Sequence, residues 1–284
     1  MSNRTKIRWL PTVFFCLIHV CAVVGLFCGY TNRTSVIVFA FFFFGSGSVA
    51  FQVGLHRYFS HGAFKTTRPI EYFLAWLISI NFQGGVARWV ANHKVHHQHA
   101  DTDGDLHSPS RGFFWAHTGW ILDGENRVLS QAEVRRLAPN VSIDPIHVWI
   151  DRLAIPSTVL LAFVFYWLAG FAGIVWGIFV RLVAIYHVTW FTNSAAHMWG
   201  YRNFNTSDQS RNLWWAAVFT FGEWHNNHHR FPSSARAGFR WYEFDLGWRI
   251  IQLLQALGLA WDVRLPELSL LRSELEGSNV DETS

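Results

Sequence analysis

The sequence predicts an all-α membrane protein: four transmembrane helices in two hairpins, with a helical cap on one face in which most of the histidines gather. Three observations carry this. Charge is scarce, at 15% of residues against roughly 25% in a soluble domain, while 51% are hydrophobic, among them 16 Trp and 26 Phe. The apolar residues come in long runs free of charge. Nine of the 15 histidines fall in three dense groups and one single position at the ends of such runs.

The first run, Pro11 to Asn32, follows a basic start (Arg4, Lys6, Arg8) and carries no charge. It supplies the roughly 20 apolar residues that a bilayer-spanning helix needs, and places the first span at about 11–30. A cleaved signal peptide would be shorter and lead to a soluble domain. Here Ser35 to Leu55, a second uncharged run, follows at once and gives a span at about 35–55. The block from Leu153 to Val180 is also uncharged and continues past Arg181 to about Phe191. It is too long for one span, and "AGFAG" (Ala169–Gly173) breaks it into a tight hairpin with spans at about 150–169 and 174–193.

The loops inside both hairpins are short and carry only Arg33, so nearly all charge lies in the N-terminus, in 56–149 and after Asn193. Basic residues flanking spans favour the cytoplasm, which puts both termini and the cap (56–149 and 194–273) there. The whole chain, 1–284, reads as one domain with a disordered tail at 274–284. The net charge of +4 suits an anionic lipid surface and an anionic substrate; no nucleic-acid partner is expected. Cys16, Cys21 and Cys28 all sit in the first span with no zinc-binding spacing, and no disulfide framework is expected.

The histidines point to chemistry. "HRYFSH" holds His56 and His61, "HKVHH" holds His93, His96 and His97, "NSAAH" ends at His197, and "HNNHH" holds His225, His228 and His229. Imidazole is the commonest nitrogen ligand of iron, zinc and copper. Helical residues three or four apart share a face, so His93, His96 and His97 can point together, as can His225 with His228 or His229. Asn193 precedes His197 by four. All four groups emerge on one side of the membrane, which argues for one shared site. Nine nitrogen donors exceed the four of a structural zinc but suit two ions with four or five each and a position left open. Without cysteine or a dense carboxylate cluster, two such ions suggest oxygen-activating iron; dizinc hydrolysis fits the same count. His19, His117 and His147, standing singly, are read as packing groups.

The three dense groups resemble the histidine boxes of the integral-membrane fatty acid desaturase and hydroxylase family. "GLHRYFSHGAFKT", "DLHSPSRGFFWAHTGW", "TWFTNSAAHMWG" and "HNNHHRFPSSAR" look like its stearoyl-CoA (delta-9) desaturase type in particular, and the likeness covers about 10–265. The third box departs in one respect, reading "FGEWHNNHH" where the family usually has a second glycine. The resemblance implies a non-haem diiron acyl desaturase whose ligands are His56, His61, His93, His96, His97, His197, His225, His228 and His229, with Asn193 reaching a metal through water. It implies second-shell partners at Asp101 and Asp105, and substrate contacts at Gln83, Trp89, Thr189 and Trp190 along a kinked apolar tunnel. His99 lies outside the ligand set, and mid-span Arg181 is assigned structure.

The implied reaction removes two hydrogens from adjacent methylenes of a saturated acyl chain, carried as a CoA or ACP thioester or as an acyl lipid. It consumes O2 and leaves a cis double bond, delta-9 by type. The resemblance implies two Fe ions as cofactors, which zinc could replace in recombinant material. A fused cytochrome b5 domain is not expected, and electrons are expected from a separate ferredoxin or cytochrome b5 with its NAD(P)H reductase, docking on the basic face. A bacterial inner membrane is favoured over the endoplasmic reticulum. The alternatives are a hydroxylase or acetylenase with the same metal site, or a membrane metal-binding or transport protein. A transporter would be expected to hold its ligands near the bilayer midplane, whereas these lie outside the apolar runs.

Overall fold

The computed structural model describes residues 6–281. Arg4 of the basic start and 282–284 of the tail lie outside the described residues. Among the described residues, three helices are long and apolar enough to cross a membrane: α1 (Trp9–Phe27), α2 (Arg33–Ser60) and, later in the chain, Phe171–His197. Between them lie α3 (Arg68–Ser79), α4 (Val86–His99) and α5 (Pro145–Arg152). α6 (Ala154–Ala169) follows α5 at a 50° bend, and the pair could form a further, broken span. α7 is Phe171–His197. The last three labelled helices are α8 (His225–Arg230), α9 (Leu246–Ala256) and α10 (Leu268–Asp281). A two-residue antiparallel strand pair, Lys65–Thr66 with Ala260–Trp261, ties the exit of α2 to the end of α9.

Local signals account for the boundaries, and several differ from the sequence expectation. α2 starts at a capping box in which Asn32 Oδ1 accepts from Ser35 N and Ser35 Oγ accepts from Asn32 N. It does not end near 55, where the apolar run stops, but continues as a widened helix to Ser60 and carries His56 on its final turns. The expected span at 150–169 is interrupted at Leu153. Pro156 lies in the first turn of α6, where its missing N–H costs nothing. The hairpin break falls at Gly170, whose φ of 64° favours glycine. α7 runs longer than the expected 174–193, from Phe171 to His197. The segment read as a disordered tail is instead occupied to Asp281 by α10, whose Glu274 pairs with Arg230 next to the third histidine group.

The spans pack through small residues. A Cβ at Gly25 of α1 would come within 2.6 Å of Val175 Cγ2 on α7, and one at Gly177 within 2.5 Å of Phe165 Cδ2 on α6. Only glycine admits these close approaches. Arg181, the charged residue in mid-span, is 1% exposed and wholly engaged. Its Nε donates to Gly177 O (2.8 Å), Nη1 to Ser46 Oγ (2.8 Å) and Asn81 Oδ1 (2.5 Å), and Nη2 to Ile80 O (3.1 Å). It therefore links α2, α7 and the chain just beyond α3, the role that buried charge in a membrane requires. On the cap side Arg57 is buried against Asp245 (2.8 Å) and Ala235 O (2.8 Å), and joins the end of α2 to the segment before α9.

Replacing Arg181 with Met strands the Asn81 and Ser46 oxygens. The variant is expected to lose about 3 kcal/mol of stability, seen as a lower thermal midpoint in detergent and reduced accumulation in the membrane.

Candidate metal centre

Each histidine group sits on an element that aims it inward. His56 lies on the last turns of α2 and His61 follows as its cap; His93, His96 and His97 ride on α4; His197 ends α7; His225, His228 and His229 lie on α8. The short α8 owes its fixed pose to the two residues between its histidines. Asn226 Oδ1 accepts from the backbone N–H groups of Asn203 and Phe204 (2.9 Å each). Asn227 Nδ2 donates to Glu243 Oε2 (2.8 Å) and to Ala237 O (2.8 Å), while its Oδ1 accepts from Asn203 and Asn212. The asparagines bind the cap, and the histidines are left to face the other way.

All nine predicted imidazoles converge, in two sets whose ligand atoms lie within 4.8 Å of one another: His56, His61, His93, His97 and His228 in one, and His96, His197, His225 and His229 in the other. The spacing allows His93, His96 and His97 to point one way, and the structure divides them; it allows His225 to pair with His228 or His229, and the structure pairs it with His229. On α4 the i, i+4 pair His93 and His97 joins the first set and His96 the second. On α8 the i, i+4 pair His225 and His229 joins the second and His228 the first. Each of these helices thus serves both sets.

The nitrogens meet tip to tip. His61 Nε2 is 2.8 Å from His93 Nε2, which is 3.1 Å from His97 Nε2; His228 Nε2 is 2.9 Å from both His97 Nε2 and His56 Nε2. In the second set His225 Nε2 is 2.8 Å from His197 Nε2. A neutral imidazole has one N–H and one lone pair, so five mutually facing Nε2 atoms cannot all be satisfied by hydrogen bonds. Ligands at right angles around one ion with metal–nitrogen bonds of about 2.1 Å stand about 3.0 Å apart, which is the spacing found.

Carboxylates fix the second set from behind. His96 Nδ1 lies 2.9 Å from Asp105 Oδ2, His197 Nδ1 2.9 Å from Asp101 Oδ1, and His229 Nδ1 2.8 Å from Asp208 Oδ2. Glu223 is shared between the sets, 3.3 Å from His56 Nδ1 and 3.8 Å from His225 Nδ1. An Nδ1–H donated to a carboxylate leaves Nε2 as the free lone pair, the tautomer a metal needs. His229 shows the result: with Nδ1 on Asp208, its buried Nε2 has no hydrogen-bond partner. The residues present therefore fit a pair of cations. Asp101 adopts φ = 63°, a strained conformation for a non-glycine residue, while also accepting from Gln209 N.

Electrostatics agree with the geometry. Burial, reinforced by neighbouring imidazoles, holds His61, His93, His97, His228 and His229 well below the ordinary histidine range. Burial likewise pushes His225 down to about 4. These rings are neutral at pH 7 and available as donors. Burial alone would raise the Glu223 carboxyl, but His56 and His225 outweigh it and hold it well below the usual carboxylate range. Asp105 and Asp208 are lowered in the same way, against burial, by their histidine partners.

A largely apolar cavity of about 700 Å³ abuts the first set and has His93, Asn193, Gln83, Trp89, Thr189 and Trp190 in its wall. Its size suits a small-molecule site. Trp89 stacks on His93 one turn away, centroids 4.8 Å apart. His107, buried and stacked on His96 at 4.5 Å, also reaches the cavity. Sequence reasoning passed over His107, Asp208 and Glu223. Glu223 had a signal, standing two residues before His225; Asp208 had none, since it lies 21 residues from the ring it supports. His147 is buried against Glu71 (2.9 Å), in a separate cluster with Asp144.

Comparison with known proteins places this geometry. The fatty acid desaturase family model matches residues 32–263. The sn-1 stearoyl-lipid 9-desaturase of Anabaena variabilis is 39% identical over 267 residues, covering 94% of this chain and 97% of that protein. The sn-2 palmitoyl-lipid 9-desaturase of a Nostoc species is 38% identical, covering 91% of each. The icosanoyl-CoA 5-desaturase of Limnanthes douglasii is 41% identical over 224 residues, 78% of this chain and 63% of that protein.

Removing a carboxylate while keeping its shape tests the supporting role. Asp208→Asn and Glu223→Gln are each expected to weaken metal affinity roughly 10- to 100-fold, measured as metal per protein during titration with a competing chelator.

Proposed function

The chain belongs to the fatty acid desaturase family, and from that premise we propose an O2-dependent diiron enzyme that places a cis double bond at the ninth carbon of a saturated acyl chain esterified in a glycerolipid. Membership makes it an oxidoreductase acting on fatty acyl chains. The lipid-bound substrate and the ninth position are taken from the Anabaena and Nostoc relatives, which match this chain over more of its length than the CoA-acting relative does. The observation that carries the reading is the junction of metal centre and cavity: His93 belongs to a ligand set and to the wall of an apolar chamber at once.

In this reading His56, His61, His93, His97 and His228 hold one ion. His96, His197, His225 and His229 hold the other, with Asn193 contributing through water. Iron at these positions, with O2 and two electrons, would supply the oxidation of unactivated methylenes, which no acid or base can achieve. The remaining residues position and exclude. Trp89 and Trp190 present flat apolar faces to the chain, and Gln83 and Thr189 stand beside them in the cavity wall. Thr189 spends its hydroxyl proton on Ile185 O (2.8 Å), so it adds bulk without a free donor. The dry wall keeps water from the reacting carbons.

We place the protein in a bacterial inner membrane, with the α5–α6 pair as the third of four spans and the cap in the cytoplasm. There a separate ferredoxin or cytochrome b5-type carrier, charged by an NAD(P)H reductase, would deliver electrons.

A host expressing the protein and fed defined saturated acids is expected to accumulate cis-9 monoenes in its glycerolipids, located by mass spectrometry of derivatised chains. Hydroxylated or acetylenic products would replace the desaturase assignment. His96→Ala and His228→Ala should each abolish product and lower bound metal while still inserting into membranes. Chelator-stripped enzyme should regain turnover with ferrous iron and not with zinc.

A further inference from the structure

We propose that the cavity opens sideways into the bilayer through a seam between α1 and α6, and that the acyl chain of an intact glycerolipid slides in through it. Residues from both helices line the cavity: Leu10 and Leu17 from α1, Ile155 and Val159 from α6. The same four side chains are exposed, at 83%, 55%, 67% and 50%. A side chain that borders an internal chamber and also faces outward marks a place where the chamber has no outer wall. On a membrane-crossing helix, outward means hydrocarbon. The opposite wall is closed: Ile178 and Leu182 of α7 line the cavity and are buried.

The position of the seam fits a chain still attached to its head group. Leu17 lies eight residues into α1 and Val159 five residues into α6, or about 12 Å and 8 Å along helices rising 1.5 Å per residue. The polar end is marked by Arg8 and Arg88, which also line the cavity. Arg8 Nη2 donates to Asn126 O (2.6 Å) and Arg88 Nη1 to Leu129 O (2.9 Å). Each guanidinium has five donors, which leaves N–H groups for the ester and head-group oxygens of a glycerolipid lying in the leaflet. A thioester arriving from water would need no slot along the helices. The inference rests on the desaturase reading for the fate of the chain, but not for its binding.

The test separates the two. The holoenzyme is reconstituted in phosphatidylglycerol vesicles containing a trace of lipid whose sn-1 chain ends in a diazirine, then illuminated and mapped by peptide mass spectrometry. Adducts are expected on buried Ile178 and Leu182, which annular lipid does not reach. Leu17→Trp and Val159→Trp should each cut that interior labelling at least tenfold without changing bound metal. Val164→Trp, on the outer face of α6 and away from the cavity, should leave it unchanged. Absent interior adducts in the wild type, or equal labelling in the seam variants, would overturn the proposal. Interior labelling without any double bond formed would instead support the seam and count against the desaturase assignment.

Discussion

Nitrogen lone pairs aimed at a common point repel one another, and here nine buried or half-buried imidazoles are held in two such sets. Burial disfavours charge on His61, His93, His97, His225, His228 and His229, and tip-to-tip Nε2 distances near 3 Å leave no consistent pattern of hydrogen bonds. Such a cluster costs free energy in the folded chain unless cations stand between the rings. Much of the rest of the molecule works against that cost: the carboxylates behind the second set, the asparagine lattice under α8, and the buried Arg57–Asp245 pair beside His56. Each spends polar interactions on holding a nitrogen where it would not rest by itself.

The division of the histidines explains why the centre needs more than one helix for either set. α4 gives two rings to the first set and one to the second, while α8 gives two to the second and one to the first. Neither set can be assembled from one helix, and moving either helix disturbs both. Glu223, between His56 and His225, spans the same division. The stacked Trp89 extends it to the cavity, since the helix that carries His93 also carries the wall one turn earlier.

The four histidine groups and their emergence on one face were legible because imidazole is rare enough, and its helical spacing regular enough, to stand out from an apolar background. Their allocation was not. Positions i, i+3 and i+4 lie on one broad face, and whether i+3 turns to a second ion depends on what approaches from the other helix. Asp101 and Asp105 could be proposed because they follow the second group closely, whereas Asp208 reaches His229 only through the fold. Hydropathy located the apolar runs but misjudged where helices stop. α2 outlasts its apolar run because its final turns carry ligands, and α6 is severed from α5 by a bend that composition does not record. The cavity residues came from family likeness alone; no periodicity distinguishes Trp89 or Thr189 from core packing.

A membrane enzyme of this kind works between two solvents, with donor rings that must stay out of hydrocarbon and a substrate chain that must stay out of water. His19 and His187 in the spans, with His117 outside them, show how the boundary is held on one side. His19 Nε2 lies 3.0 Å from His187 Nε2, His187 Nδ1 2.9 Å from His117 Nε2, and His117 Nδ1 3.0 Å from Ser194 Oγ, a polar ladder from α1 across α7 to the cap. Inside a bilayer, separating such partners leaves unpaired polar atoms in hydrocarbon. α1 is therefore pinned to α7, an approach already made close by Gly25 against Val175. The α1–α7 side of the cavity is locked by polar bonds and tight packing together. On the α1–α6 side Leu10, Leu17, Ile155 and Val159 are exposed aliphatic groups, which part and close at little cost in a lipid that solvates them equally well either way.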